Sequence, residues 1–172
     1  MNNQKCLYLT EGECEEKLIK ALKEAPALVV PGKVKRFNVI QNELPASILM
    51  SFEPGSKVVL VFDTDKPITE HLRVNLQKLK KQCARVEVLT ITQVLNFEDE
   101  LERATDVSKA QELTKSVTVD DFKTAVNRMK SPDFRRTLTR HKLDLTELWA
   151  KEPPQPFSFV SQDSKRVKRG RT

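Results

Sequence analysis

The chain has 172 residues, 38% of them apolar and 31% charged, with a net charge of +6. That length suits one compact α/β domain with an appendage, and the apolar share suffices for a real core. No apolar run approaches the roughly 20 residues of a membrane span, and the start of the chain lacks the apolar stretch of a secretory signal, so a cytoplasmic protein without a membrane partner is expected.

In chain order, residues 5–10 read as a first strand and 10–24 as a helix, with Cys14, Leu18, Ala21, Leu22 and Ala25 on one side. Thr10 and Glu13 have the spacing of a T-x-x-E capping box, and Glu16 reads as solvated surface. Pro26 and the Pro31-Gly32 pair break that helix. Residues 34–40 alternate as a second strand, which Lys33, Lys35 and Arg36 push toward an edge. Residues 45–52 form a short helix closed by Pro54-Gly55, and 57–62, the most apolar run, a central strand. Residues 69–82 carry Leu72, Leu76 and Leu79 on one helical face, and 85–91 give a fourth strand. This alternation predicts an α/β fold: a Rossmann-like, mostly parallel four-stranded sheet flanked by helices, with right-handed crossovers.

Past residue 92 the pattern turns helical, over 96–105, 118–129 and 143–149, as a small C-terminal helical extension. Pro153, Pro154 and Pro156 then force an extended segment leading into a flexible basic tail. The organisation expected is a metal-binding domain over 1–100, a helical extension over 101–152 and the tail over 153–172.

Two apolar runs stop abruptly at acids, CLYLTEGECEE from Cys6 and KVVLVFDTD from Lys57. Open α/β sheets bind ligands at the C-terminal ends of their strands, so Glu11, Glu15, Asp63 and Asp65 should gather at one edge. Glu11 ends a strand, Gly12 permits the turn, and Glu15 leans back toward Glu11 from the first helical turn. Asp63 and Asp65 stand two residues apart, with Cα atoms about 6–7 Å apart on an extended strand. One hydrated cation can bridge that span, although an ordinary D-x-D turn is the plainer reading of the pair alone. Crowded carboxylates repel unless a cation lies between them. Hard oxygen donors suit Mg²⁺ or Mn²⁺. Three cysteines without CxxC spacing (Cys6, Cys14, Cys83) and only two histidines argue against zinc or a disulfide framework.

Charge is distributed unevenly. Residues 1–100 carry 14 Lys+Arg and 14 Asp+Glu, whereas 101–172 carry 16 against 10. Within 128–142, Arg128, Lys130, Arg135, Arg136, Arg140 and Lys142 face Asp133 alone, and the last eight residues hold five cations and no acid. Arg136 and Arg140 stand at i,i+4, one face of a helix. Such a stretch, with only Phe134 as an aromatic, suits a phosphate backbone, DNA or RNA, better than base edges; a solvated helix face is the alternative.

TEGxxE at 10–15 together with VFDTD at 61–65 resembles the Toprim domain, the metal-binding module of topoisomerases and primases. The spelling EGECE is similar to the E-G-x-T-E of OLD-family and RloB-like Toprim nucleases. NFED at 96–99 is similar to the Asn/Pro-x-Phe-Glu segment of RloB-like proteins and adds Glu98. The resemblance covers residues 5 to about 100. It departs from the family where Lys66-Pro67 follow the D-x-D in place of glycine, and where Cys14 replaces a common threonine.

The resemblance implies a Toprim fold and Mg²⁺- or Mn²⁺-dependent phosphodiester cleavage. Glu11 would be general acid/base or metal ligand, Asp63 and Asp65 would hold the ion, and Glu15 and Glu98 would complete a second metal position. It also implies a role in defence against phage or foreign nucleic acid beside a separate ATPase subunit, since this sequence contains no G-x-x-x-x-G-K-[ST]. Topoisomerase action would need a nucleophilic tyrosine domain, and Tyr8, the only tyrosine, lies inside a strand. The other readings are a non-catalytic nucleic-acid-binding or regulatory Toprim module and an RNA-maturation ribonuclease. A haloacid-dehalogenase-type phosphatase would carry its aspartates after the first strand, and a nucleotide-sugar transferase would leave EGxxE unexplained.

Overall fold

The computed structural model describes residues 5–169; the residues before and after these, including the end of the predicted tail, lie outside the described part. Four strands, β1 (Cys6–Thr10), β2 (Lys33–Arg36), β3 (Lys57–Asp63) and β4 (Glu87–Gln93), form one sheet in the order β2-β1-β3-β4. Every neighbouring pair is parallel. Helices α1 (Glu13–Leu22), α2 (Ala46–Leu49) and α3 (Glu70–Gln82) connect the strands. Beyond the sheet follow α4 (Phe97–Ala104), α5 (Val119–Arg128), α6 (Ser131–Arg140) and a short α7 (Ser164–Val167). This is the Rossmann-like α/β class that the alternating pattern predicts.

Successive strand side chains point to opposite faces, so the sheet divides its apolar residues between two cores. Tyr8, Val59, Val61, Leu89 and Ile91 face α1, α4, α5 and α6, meeting Leu18, Leu101, Phe122 and Phe134. Leu9, Val58, Leu60 and Phe62 face the other way, onto Ile48, Leu72, Leu79 and Phe157. Trp149 and Val167 lie in the first core, so residues from 1–100, 101–152 and 153–172 are packed together there.

Several local expectations give way to side-chain hydrogen bonding. The second strand stops at Arg36, because Asn38 Oδ1 accepts from the Ile40 and Gln41 amides at 2.9 and 3.0 Å and turns the chain. The fourth strand is shifted toward the C-terminus and ends at Gln93. Residues 143–149 form turns in place of a helix. Lys142 and Trp149 have φ of 54° and 53°, and Asp144 Oδ1 accepts from the Thr146 amide at 2.7 Å. The Trp149 amide donates to the fully buried Glu100 Oε2 at 2.8 Å, outside any helical pattern.

The described part of the predicted flexible tail is docked. Ser164–Val167 is helical, Lys168 bridges to Val29, and Phe157 and Val167 are buried. Residues 161–163 run along β4 and satisfy its open edge. The Asp163 amide donates to Thr90 O at 2.8 Å, and Asp163 Oδ2 accepts from the Thr90 amide at 2.9 Å. Gln162 Nε2 donates to Thr92 O at 2.8 Å while its Oε1 accepts from the Thr92 amide at 3.3 Å, so a side-chain amide does the work of a peptide unit.

Asn75 fixes the loop between β2 and α2 from beneath. Its Oδ1 accepts from the Leu44 amide at 2.6 Å, and its Nδ2 donates to Val39 O at 3.0 Å and Asn42 O at 2.8 Å. Asn75→Ala strands these buried groups and should lower unfolding free energy by about 2–4 kcal/mol. Urea denaturation of the two proteins measures it; a loss below about 1 kcal/mol would show that water replaces the amide without penalty.

Candidate functional site

The strand order changes direction between β1 and β3: the chain leaves β1 for β2 on one side and β3 for β4 on the other. At such a switch point the connections diverge and leave a crevice at the C-terminal ends of the two central strands. Thr10 pairs with Val61, so Glu11, the next residue, emerges beside the end of β3. The Asp63 amide donates to Glu11 Oε2 at 3.1 Å. That bond joins the two acidic motifs directly.

Glu15 enters from the first turn of α1 and folds back over Gly12. A Cβ at position 12 would lie 2.9 Å from Glu15 Oε2, so glycine leaves the room the carboxylate occupies. Gly12 is itself the N-cap of α1, without a side-chain cap. The expected Thr10–Glu13 capping box is therefore absent. Glu13 instead pairs with Arg36 at 3.4 Å and accepts from Asn127 Nδ2 at 3.3 Å.

Burial governs the electrostatics. It raises the Asp63 carboxyl to about 8, helped by the Glu15 charge and more weakly by Glu11 and Asp65, while a hydrogen bond from Gln93 opposes the rise. Glu15 is likewise raised, first by burial and then by Glu11 and Glu98, against a bond from its own backbone amide. The Cys14 thiol beside them is pushed to about 12 by burial and by Glu15 and Glu98. Negative charge at this edge is thus held away from water and close to other negative charge.

The five predicted acids are not equivalent. Glu11, Glu15 and Asp63 come together at the switch point. Glu98, in the first turn of α4, is buried, and its Oε1 forms an ion pair with Lys123 Nζ at 3.2 Å across to α5. Burial is the largest single influence and pulls the Lys123 ammonium down, but the charge and hydrogen bond of Glu98, with Cys14 and Glu15 behind them, together leave the group raised. Asp65 lies past the end of β3 and is exposed, so the two-residue strand spacing does not extend to it. Among the described residues, no three His, Cys, Asp or Glu side chains stand where they could hold a metal ion together. Glu11, Asp63 and Glu98 are each engaged with a protein partner instead.

Two partners escaped the sequence reading. Gln93 ends β4 in register with Asp63, is fully buried, and donates Nε2 to Asp63 Oδ1 at 2.5 Å; its Oε1 has no hydrogen-bond partner. Its place beside Asp63 follows from the register of β4 against β3, which only the folded sheet fixes. Lys123 carried no signal at all, because only folding brings α5 to α4.

The basic stretch forms the end of α5, the connection and α6. Arg128, Lys130, Arg136, Arg140 and Lys142 are exposed, and Arg135 is partly buried. Arg136 pairs with Asp133 and Lys142 with Asp106. The stretch lies against the acidic edge through α1: Lys17 Nζ donates to Met129 O at 2.5 Å, and Cys14 Sγ meets Asn127 Oδ1 at 3.3 Å.

Comparison of the chain with protein-family models, with curated proteins and with solved structures gives no significant match. The site therefore stands on its geometry: an acidic crevice at the switch point of a parallel sheet, beside a basic helical surface.

A carboxyl whose folded pKa lies above its unfolded value favours the folded state at low pH, and that contribution disappears as pH climbs through the folded value. For Asp63 the window runs from near 3.8 up to about 8. Without divalent cations, Asp63→Asn should match the wild type at pH 4 and gain on it steadily, ending more stable by on the order of a few kcal/mol at pH 9. Thermal unfolding in chelator across pH 4–9 measures the gap; a constant gap would mean that Asp63 is not electrostatically strained.

Proposed function

We propose that the chain is a Toprim-type, Mg²⁺- or Mn²⁺-dependent nuclease that cleaves phosphodiester bonds. The observation that carries this reading is the meeting of Glu11, Glu15 and Asp63 at the switch point, joined by the Asp63 amide bond to Glu11 Oε2 at 3.1 Å. Their donors are all carboxylate oxygens, and the unpartnered Gln93 Oε1 adds a neutral one, a set that fits a hard divalent cation. Glu11 and Asp63, with Asp65 from the exposed turn, would hold the ion, and Glu15 and Glu98 would serve a second position. When bound, such a cation lowers the pKa of water and stabilises developing negative charge on a phosphoryl oxygen.

The chain's own residues supply the rest. Gln93 orients Asp63, Gly12 gives Glu15 its approach, and Lys123 holds Glu98 until a stronger cation competes for it. Arg128, Lys130, Arg136, Arg140 and Lys142 would bind the backbone of DNA or RNA as a phosphate track, with Arg135 at its margin. A cytoplasmic role in defence against foreign nucleic acid, beside a separate ATPase subunit, rests on the resemblance to RloB-like and OLD-family proteins.

A second reading, a non-catalytic nucleic-acid-binding or regulatory module of the same kind, is favoured by one observation. As the side chains stand, no three acids among the described residues are set to share an ion. The two readings separate on cleavage. Incubation with labelled RNA and DNA, with and without Mg²⁺ or Mn²⁺, should give cation-dependent cleavage that Asp63→Asn abolishes. Because the ion must displace a proton from Asp63, Mn²⁺ affinity should rise with pH toward about 8 and level off above it. Calorimetric titration tests this, and binding that survives both Asp63→Asn and Asp65→Asn would remove the metal site. Binding without cleavage would select the second reading.

The basic track is tested separately. Replacing Arg135, Arg136 and Arg140 with Ala should weaken nucleic-acid binding and flatten its salt dependence by up to about three phosphate contacts' worth of slope, leaving metal affinity unchanged. A salt titration that overlays the wild-type line would make the stretch a solvated face.

A further inference from the structure

The opposite end of the sheet holds a cleft that the acidic edge does not use. It lies about 15 Å away along the strands, at the N-terminal ends of β1, β2 and β3. Its volume is about 740 Å³, within the ordinary range for small-molecule sites. Leu7, Pro31, Val34 and Phe52 give it apolar walls.

Its polar groups have one sign in excess. Lys5, Lys33, Lys35 and Lys57 line the cleft against Glu53 alone. Lys57 pairs with Glu87 at 3.1 Å, and Lys5 with Glu53 at 2.6 Å in an exposed ion pair that contributes little and can exchange partners. Among the described residues no carboxylate pairs with Lys33 or Lys35, which stand on the same side of β2. An independent feature points to a ligand: Ser56, more than nine-tenths buried in the cleft wall, has a hydroxyl with no hydrogen-bond partner. A buried hydroxyl left unpaired is costly unless something accepts from it.

We propose that this cleft binds a small amphipathic organic anion, an apolar body bearing one carboxylate, sulfonate or phosphate group. The apolar body would lie against Phe52 and Leu7. The anionic head would be held by Lys33 and Lys35 and would accept from Ser56. A polyanion such as nucleic acid would have no use for the apolar walls, and an uncharged apolar ligand would leave the lysines and Ser56 unanswered.

The probe is 8-anilinonaphthalene-1-sulfonate, titrated by fluorescence into the folded full chain. Saturable one-site binding is expected, weakened at least tenfold in a Lys33→Glu/Lys35→Glu variant whose thermal unfolding matches the wild type. If that variant does not fold, Ser56→Ala replaces it, with a several-fold weaker affinity expected. Octanoate should displace the probe, while acetate and octanol at equal concentration should not. Absence of saturable binding, unchanged affinity in the folded variant used, or displacement by acetate as effective as by octanoate would each overturn the proposal.

Discussion

The register between β1 and β3 is the constraint on which the acidic site depends. Pairing of Thr10 with Val61 delivers Glu11 to the backbone amide of Asp63, and the hydrogen bond there fixes the two motifs relative to each other. A slip of one residue would send every side chain of β1 to the opposite face, exchanging Tyr8 and Leu9 between the two cores. The register is therefore enforced by packing on both faces, and the site inherits its position from the cores. No acid needs to attract another for the cluster to form.

Packing thus works against electrostatics. Glu15 is buried and Asp63 half-buried at the same edge, and both carboxyls are raised by desolvation and by the neighbouring acids. The fold offsets the repulsion with groups from outside the two motifs. Gln93 donates to Asp63 from the next strand and Lys123 pairs with Glu98 from a helix more than twenty residues on, while inside the first motif Gly12 spares Glu15 a collision with a Cβ. These contacts hold the crevice in a form that tolerates its charge, and a divalent cation bound there would compete with them for the same oxygens.

The segment after residue 140 stabilises the sheet without contributing to the acidic crevice. Glu100 links three regions: its carboxylate accepts from the Val94 and Trp149 amides at 3.0 and 2.8 Å and from Arg103 at 2.6 Å. Residues 161–163 then close the edge of β4, which would otherwise present a row of unpaired amides and carbonyls. The basic character of this segment is compatible with docking because Lys142, Lys151, Lys165, Arg166 and Arg169 are exposed while Phe157 and Val167 are buried; Lys168 alone among its described lysines and arginines is half-buried, and desolvation lowers its ammonium.

By itself the sequence determined the elements with strong periodicity and the acids at strand ends. The apolar run of β3 and the helical spacing of Leu72, Leu76 and Leu79 are local signals, and alternation of strands with helices leaves few topologies besides a parallel sheet. Glu11 and Glu15 were legible because a carboxylate just after a buried run has one place to go. Asp65 was legible only as half of a pattern, and its exposed turn separates it from Asp63. Tertiary structure alone decided what holds those acids. Gln93, Lys123 and Glu100 act across long sequence separations, and no spacing rule connects residue 63 to 93 or 98 to 123. It also decided the fate of residues 143–169, where 143–149 read as a helix and the prolines and charges beyond it as an extended, flexible tail. A buried carboxylate for the Trp149 amide and an open sheet edge for Gln162 outweighed those local preferences, because an unpaired backbone group costs more in the interior than a turn costs at the surface.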